Sequence, residues 1–184
     1  ALVQALRKNS NTPIVFYTYF NLVHAQGIEN YIKQCARAGV DGLLVLDLPP
    51  EEAGPLMDAS RQHGVDLVFI IAPTTRPDRI ASIAQKATGF LYYVSREGVT
   101  GEREDMAHGI QESIERIREY TDLPVVVGFG ISSPDQVHKI GKMADGVVVG
   151  SSLVRCIQEN SNDAEMAIKA YCDKASWLMK GVHQ

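Results

Sequence analysis

The chain reads as an α/β fold in which short parallel strands alternate with helices in about six β-α units. Two patterns carry that reading. Apolar, often β-branched runs recur at residues 14–19, 43–46, 67–71, 90–94, 125–127 and 147–149, as in strands covered on both faces. Between them apolar residues return at helical spacing: Ile28, Tyr31, Ile32 and Cys35, then Ile110, Ile114 and Ile117, then Val137, Ile140 and Met143. Such alternation implies a parallel sheet with right-handed crossovers.

Local chemistry supports each element in turn. Leu2, Val3, Ala5 and Leu6 look like the tail of a helix before the turn Asn9-Ser10-Asn11-Thr12-Pro13. Gly39 and Gly64 follow helical patterns as C-terminal caps do, each leading through Val-Asp into the next strand. Asp105 and Asp135 fall where acidic residues favour a first helical turn, and Pro134 sits where a helix can begin. A last helix over 162–179 carries Ala164, Ala167, Ile168, Tyr171, Ala175, Leu178 and Met179 on one side and is expected to pack outside the sheet. No linker or low-complexity stretch interrupts the chain, so residues 1–184 are read as one domain, a partial β/α barrel. Six units fall short of the eight of a closed barrel, and about two more are expected upstream. A complete doubly wound sheet of six strands is the alternative topology.

Composition narrows the function. With 184 residues, 45% of them hydrophobic, the chain is long enough for one core and short for two. A net charge of -4 argues against a nucleic-acid or anionic-membrane partner, which favours a basic face. No apolar run approaches the ~20 residues that span a bilayer. Cys35, Cys156 and Cys172 are widely spaced without a CxxC, as reduced thiols are, so the expected compartment is the cytoplasm, or the plastid stroma in a eukaryote. His24, His63, His108, His138 and His183 lack ligand spacing, and no metal site is expected.

Two matched units near the C-terminal end point to a phosphate. Val125-Val126-Val127-Gly128-Phe129-Gly130-Ile131-Ser132-Ser133-Pro134 is followed by Gly146-Val147-Val148-Val149-Gly150-Ser151-Ser152-Leu153. Each is a strand that breaks at Gly and enters a helical pattern. A helix N-terminus offers backbone N–H groups and the positive end of a dipole, which suits a phosphate. A β/α barrel places such a site after its last two strands. Either turn alone is explained by Gly permitting a tight bend, but two in succession favour a phosphomonoester.

Three further segments are candidates. Tyr92-Tyr93-Val94-Ser95-Arg96-Glu97-Gly98-Val99-Thr100-Gly101 runs from a strand into a long polar loop, a form taken by lids and substrate loops as well as by plain connections. Gly101 is positioned to add a backbone donor to the phosphate. In Asp47-Leu48-Pro49-Pro50-Glu51-Glu52 an acidic residue ends a strand, where barrel enzymes put catalytic groups, while the Glu pair suits a first helical turn. In the strand Val15 to Asn21, alternating Tyr17 and Tyr19 offer a flat wall for an aromatic ligand, with core packing as the competing use.

With these residues assembled, the chain resembles the tryptophan synthase alpha subunit over its whole length. The carrying segments are Asp47 to Glu52, Ile71-Ala72-Pro73-Thr74-Thr75, Tyr92 to Gly101, Gly128 to Ser132, and Asp145-Gly146 through Gly150-Ser151. The resemblance implies a TIM (β/α)8 barrel, here starting at about its third strand. It implies cleavage of indole-3-glycerol phosphate to indole and glyceraldehyde 3-phosphate. No cofactor is implied in this chain; PLP belongs to the beta subunit, which receives indole in an α₂β₂ complex. By the same resemblance Tyr92 lies beside the reacting centre, and Thr100 and Gly101 belong to the mobile loop that closes over substrate; with Asp47 at its strand end, Tyr92 and Thr100 are the catalytic candidates. Gly101, Gly130, Gly150 and Ser151 match the phosphate cradle, and Tyr17, Tyr19 and Phe129 match contacts to the indole side. Asn21, Pro49, Glu51 and Glu52 match surfaces that touch the beta subunit. The family's proton chemistry uses a Glu on the second strand and an Asp on the following loop, and neither has a counterpart here. Leu46 stands where the family usually has a smaller residue or Pro. A non-catalytic alpha-like partner of the beta subunit and another sugar-phosphate barrel enzyme are the alternatives.

Overall fold

The computed structural model describes residues 2–95, 103–128 and 130–182. The sheet holds six strands in the order β1-β2-β3-β4-β5-β6, so each new strand is laid beside the one before it. Parallel ladders join β1 (Val15–Thr18) to β2 (Gly42–Val45), β2 to β3 (Asp66–Ile71), and β5 (Val125–Gly128) to β6 (Gly146–Val148). Strand β4 covers Leu91–Val94. The chain divides into two compact units: Ala1–Ile70 with Thr75–Leu91 and Tyr120–Leu123, and Ile71–Thr74 with Tyr92–Glu119 and Pro124–Gln184.

In the first unit a short helix α1 (Leu2–Arg7) precedes β1. The apolar run expected to be strand through residue 19 stops at Thr18, and Asn21 lies on a helix, α2 (Phe20–Gln26). Gly27, at φ 80°, turns the chain from α2 into α3 (Ile28–Ala38). Left-handed Gly39 and Gly64 end α3 and α4 (Gly54–His63), as the sequence leads one to expect. Helix α5 spans Pro77–Lys86. Val23, Ile32, Leu43 and Ile80 are fully shielded and form the centre of this unit's core.

The second unit contains α6 (Arg103–Arg118), α7 (Pro134–Gly141), α8 (Ser151–Glu159) and α9 (Ala164–Met179) besides its strands. Ile110, Ile114 and Ile117 of α6 bury their side chains, as do Val125 and Val127 of β5 and Val137 and Ile140 of α7. Met143 falls past the end of α7 and is only partly buried. The apolar stripe of α9 packs less than its spacing implies. Ala167 and Leu178 are buried, but Ile168 is 65% exposed and Met179 52% exposed. Ile157, Ala164, Ile168 and Tyr171 line an open groove between α8 and α9. Amphipathic spacing marks which face can pack, and a neighbour must still cover it.

Candidate functional site

Strands β5 and β6 set the geometry of the second unit's site. Val126 pairs with Gly146, Val127 with Val147 and Gly128 with Val148. Neighbouring strands lie about 4.8 Å apart. The chain therefore leaves both strands at the same level, and the turns beginning at Gly128 and at Val149 start side by side.

The second turn opens onto an uncapped helix. Gly150 is the N-cap of α8 and has no side chain to accept from the first helical turn, while its carbonyl accepts from Leu153 N at 2.9 Å and Val154 N at 3.1 Å. Ser151 follows as the first helical residue, and both Gly150 and Ser151 are exposed. Free amides at a helix start, together with the positive dipole end, are chemically able to meet an anion.

The first turn behaves differently, and here the expectation of two open helix ends is corrected. Gly130 bends the chain through a left-handed φ of 48°, but α7 begins four residues later at Pro134. Its start is closed by a capping box: Ser133 Oγ accepts from Gln136 N, and Gln136 Oε1 accepts from Ser133 N at 3.2 Å and Ser132 N at 2.8 Å. The sequence Ser133-Pro134-Asp135-Gln136 carried that signal, since Ser followed three places on by Gln is a capping box. Of the two helices, α8 alone leaves its start without a side-chain cap.

Tyr92 joins this site. On β4, its ring lies so close to Gly128 that a Cβ at Gly128 collides with the phenol hydroxyl and ring edge. Glycine is required there by close approach. Ser95 N donates to Gly128 O at 3.1 Å, which ties the end of β4 to the start of the same turn. Thr100, Gly101 and Phe129 lie outside the described residues.

The other named residues sit in the first unit. Asp47 lies in a turn two residues past β2, and its Oδ1 accepts the Phe20 amide at 2.6 Å, at the start of α2. That bond caps a helix whose own N-cap, Tyr19, supplies no side-chain bond. Tyr17, on β1, is 62% exposed, and Tyr19, beyond the strand, is 56% exposed, so neither packs in this unit's core. Pro49 precedes a single 3₁₀ turn, Pro50–Glu52. Arg79 of α5 donates to Glu51 at 2.8 and 3.3 Å, and Lys86 Nζ donates to the Pro50 carbonyl at 2.8 Å. Asn21 and Glu52 are exposed.

Among the described residues no group of three or more His, Cys, Asp or Glu is placed to hold a metal. Among them, too, no helix is long and apolar enough to cross a membrane.

Residues 1–183 match the model of the family described as tryptophan synthase alpha chain. The tryptophan synthase alpha chain of Opitutus terrae is 58% identical over 180 residues, covering 98% of this chain and 68% of the relative. The alpha chain of Methanocaldococcus jannaschii is 42% identical over 156 residues, and there the match spans 56% of the relative. A structure of the tryptophan synthase a2b2 complex from Pyrococcus furiosus aligns at TM-score 0.87 and 36% identity over 97% of this chain and 71% of that one. The alpha subunit from Legionella pneumophila aligns at TM-score 0.88 and 30% identity over 99% and 67%. The chain thus spans between just over half and about seven tenths of these proteins. Its six parallel β-α units are those of the TIM-barrel class. The likeness extends over nearly every residue of the chain: this chain belongs to the tryptophan synthase alpha chain family.

Proposed function

We propose that this chain serves as the alpha chain of tryptophan synthase, binding indole-3-glycerol phosphate and taking part in its retro-aldol cleavage to indole and glyceraldehyde 3-phosphate. The observation that carries the proposal is the uncapped start of α8 at Gly150–Ser151, beside the left-handed turn at Gly130. Those backbone groups hold the phosphate, with Gly101 as a further donor. Tyr92 lines the reacting centre, and Tyr17, Tyr19 and Phe129 contact the indole side. Thr100 belongs to the loop that covers the substrate.

Cleavage needs two proton transfers. A proton added at indole C3 makes an indolenine-like cation, and a base takes the glycerol hydroxyl proton as the C–C bond breaks. The family's Glu and Asp for these steps have no counterpart in these residues, and Asp47 is occupied in capping α2. A missing acid or base forfeits roughly 10²–10⁴-fold in rate. These residues alone therefore turn over indole-3-glycerol phosphate very slowly. The test is turnover by the purified chain: a rate near that of a full-length alpha chain overturns the missing-carboxylate reading.

The second reading, a non-catalytic partner that stimulates a PLP-dependent beta subunit, draws support from the same use of Asp47. On either reading the chain joins a beta subunit in an α₂β₂ assembly through Asn21, Pro49, Glu51 and Glu52. The exposed Cys172 thiol favours a reducing compartment such as the cytoplasm. We read residues 1–184 as one domain because the unit boundaries cut within β3 and β4. One cooperative melting transition is the expected sign.

A further inference from the structure

We propose that Lys174 is a positioning residue for the phosphate site: seated on Trp177, its ammonium holds the Ser132 carbonyl and so sets the turn that carries Gly130. The inference rests on the phosphate reading above and adds a residue to it from the outer helix.

Ser132 is gripped on both sides. Its N–H donates to Gln136 Oε1 at 2.8 Å, and its hydroxyl reaches the same oxygen at 3.3 Å. Its carbonyl accepts from Lys174 Nζ at 2.9 Å, from a residue 42 positions further along the chain. The peptide that follows Gly130 and Ile131 is therefore fixed at one end by α7 and at the other by α9.

The lysine is itself held. Its Nζ lies 4.1 Å from the centre of the Trp177 ring, one helical turn on, where a cation meets the negative face of the indole. The C-terminal end of α9 packs against the start of α7. Gly181, just past its end, lies so near the carbonyl of Pro134, the first residue of α7, that a Cβ there collides with it. Leu178 of α9 is buried.

The charge also matters. Both partners of Lys174 are neutral, a carbonyl and an aromatic ring, and among the described residues it forms no ion pair. Its positive charge thus lies against the Ser132 carbonyl, two residues from Gly130, with no carboxylate paired to it among the described residues. That combination favours an anion and restricts the turn.

The test compares wild type, Lys174→Met and Lys174→Arg in titrations with indole-propanol phosphate, with amide exchange measured at Ser132 and Ser133. Lys174→Met is expected to weaken binding about tenfold, as loss of a charge-assisted hydrogen bond does. Exchange at Ser132 and Ser133 speeds up while the melting temperature holds. Lys174→Arg, which keeps the donor and the charge, recovers most of the affinity. Unchanged binding by Lys174→Met beside normal wild-type binding overturns the lysine's role and leaves the phosphate site standing. So does equal loss in the Met and Arg variants. Failure of the wild type itself to bind overturns the phosphate reading, and this inference with it.

Discussion

Asp145 accepts the amide proton of Val125 at 2.8 Å, so the residue just before β6 caps the start of β5. Arg118 donates to the same oxygen at 3.1 Å. The first unit repeats the device: Asp41 Oδ2 accepts Ile14 N at 2.6 Å and also meets Arg7. In both places Gly follows the Asp and begins a strand, Gly42 paired with Val15 and Gly146 with Val126. Asp-Gly is a repeated strand-start signal in this chain. The carboxylate satisfies a backbone donor that the ladder leaves over, and the glycine lets the neighbouring valine close in.

This carboxylate makes stability depend on acid. The Val125 amide above all holds Asp145 below the ordinary value of 3.8; burial pushes the other way, and the Arg118 guanidinium adds to the lowering. A folded pKa that is depressed contributes stability above the unfolded value, lost as pH falls through the folded one. Asp145→Asn is therefore expected to flatten the loss of stability below pH 3.8, measured as melting temperature against pH. Asp145→Ala, which strands the Val125 donor, is expected to cost about 1–2 kcal/mol at neutral pH.

Gly128 answers to Tyr92. An added methyl at Gly128 meets the phenol ring, which must swing away. Gly128→Ala is expected to destabilise by about 1–3 kcal/mol, the usual range for overpacking. A Gly128→Ala/Tyr92→Ala double variant recovers much of that loss, by denaturant melts. Additive losses contradict the contact.

The two cradle glycines separate folding from binding. Gly130 has a φ of 48°, where a side chain costs about 1–2 kcal/mol, so Gly130→Ala is expected to lower both stability and phosphate affinity. Gly150 has a φ of -109°, and a Cβ there meets nothing within 4 Å. Gly150→Ala is expected to melt near the wild-type temperature yet bind phosphate esters more weakly. Calorimetric titration beside a thermal melt reads both effects.

Glu51 separates packing from partnership. Its pair with Arg79 is exposed, the two side chains 55% and 44% accessible, so its loss is expected to cost no more than about 1 kcal/mol. If the Pro49–Glu52 turn meets the beta subunit, Glu51→Gln weakens that complex well beyond any change in melting temperature. Surface-immobilised beta subunit provides the measurement.

Much of this was legible in the residues. Strand positions followed from β-branched runs because buried parallel strands tolerate little else, and Gly39 and Gly64 announced their helix ends through the left-handed region. Helix α2 was hidden, since Val15 to Phe20 is aromatic or β-branched throughout; the cap at its start comes from distant Asp47, and Gly27 marks its end. The capping box at Ser133 and Gln136 was legible but overshadowed by the flanking glycines. The grip of Lys174 on Ser132 was not legible, because it joins helical residues to a distant loop through tertiary packing alone. Exposure of Ile168 was equally out of reach, for spacing marks a face without saying what lies against it.

The most direct measurement maps backbone amide shifts while indole-propanol phosphate is added to the isotope-labelled chain. The expected result is saturable movement centred on Gly130, Gly150, Ser151 and Ser152, competed by inorganic phosphate. Saturation that leaves those amides still while others move, or no saturation at all, contradicts a phosphate held between the turns that follow β5 and β6.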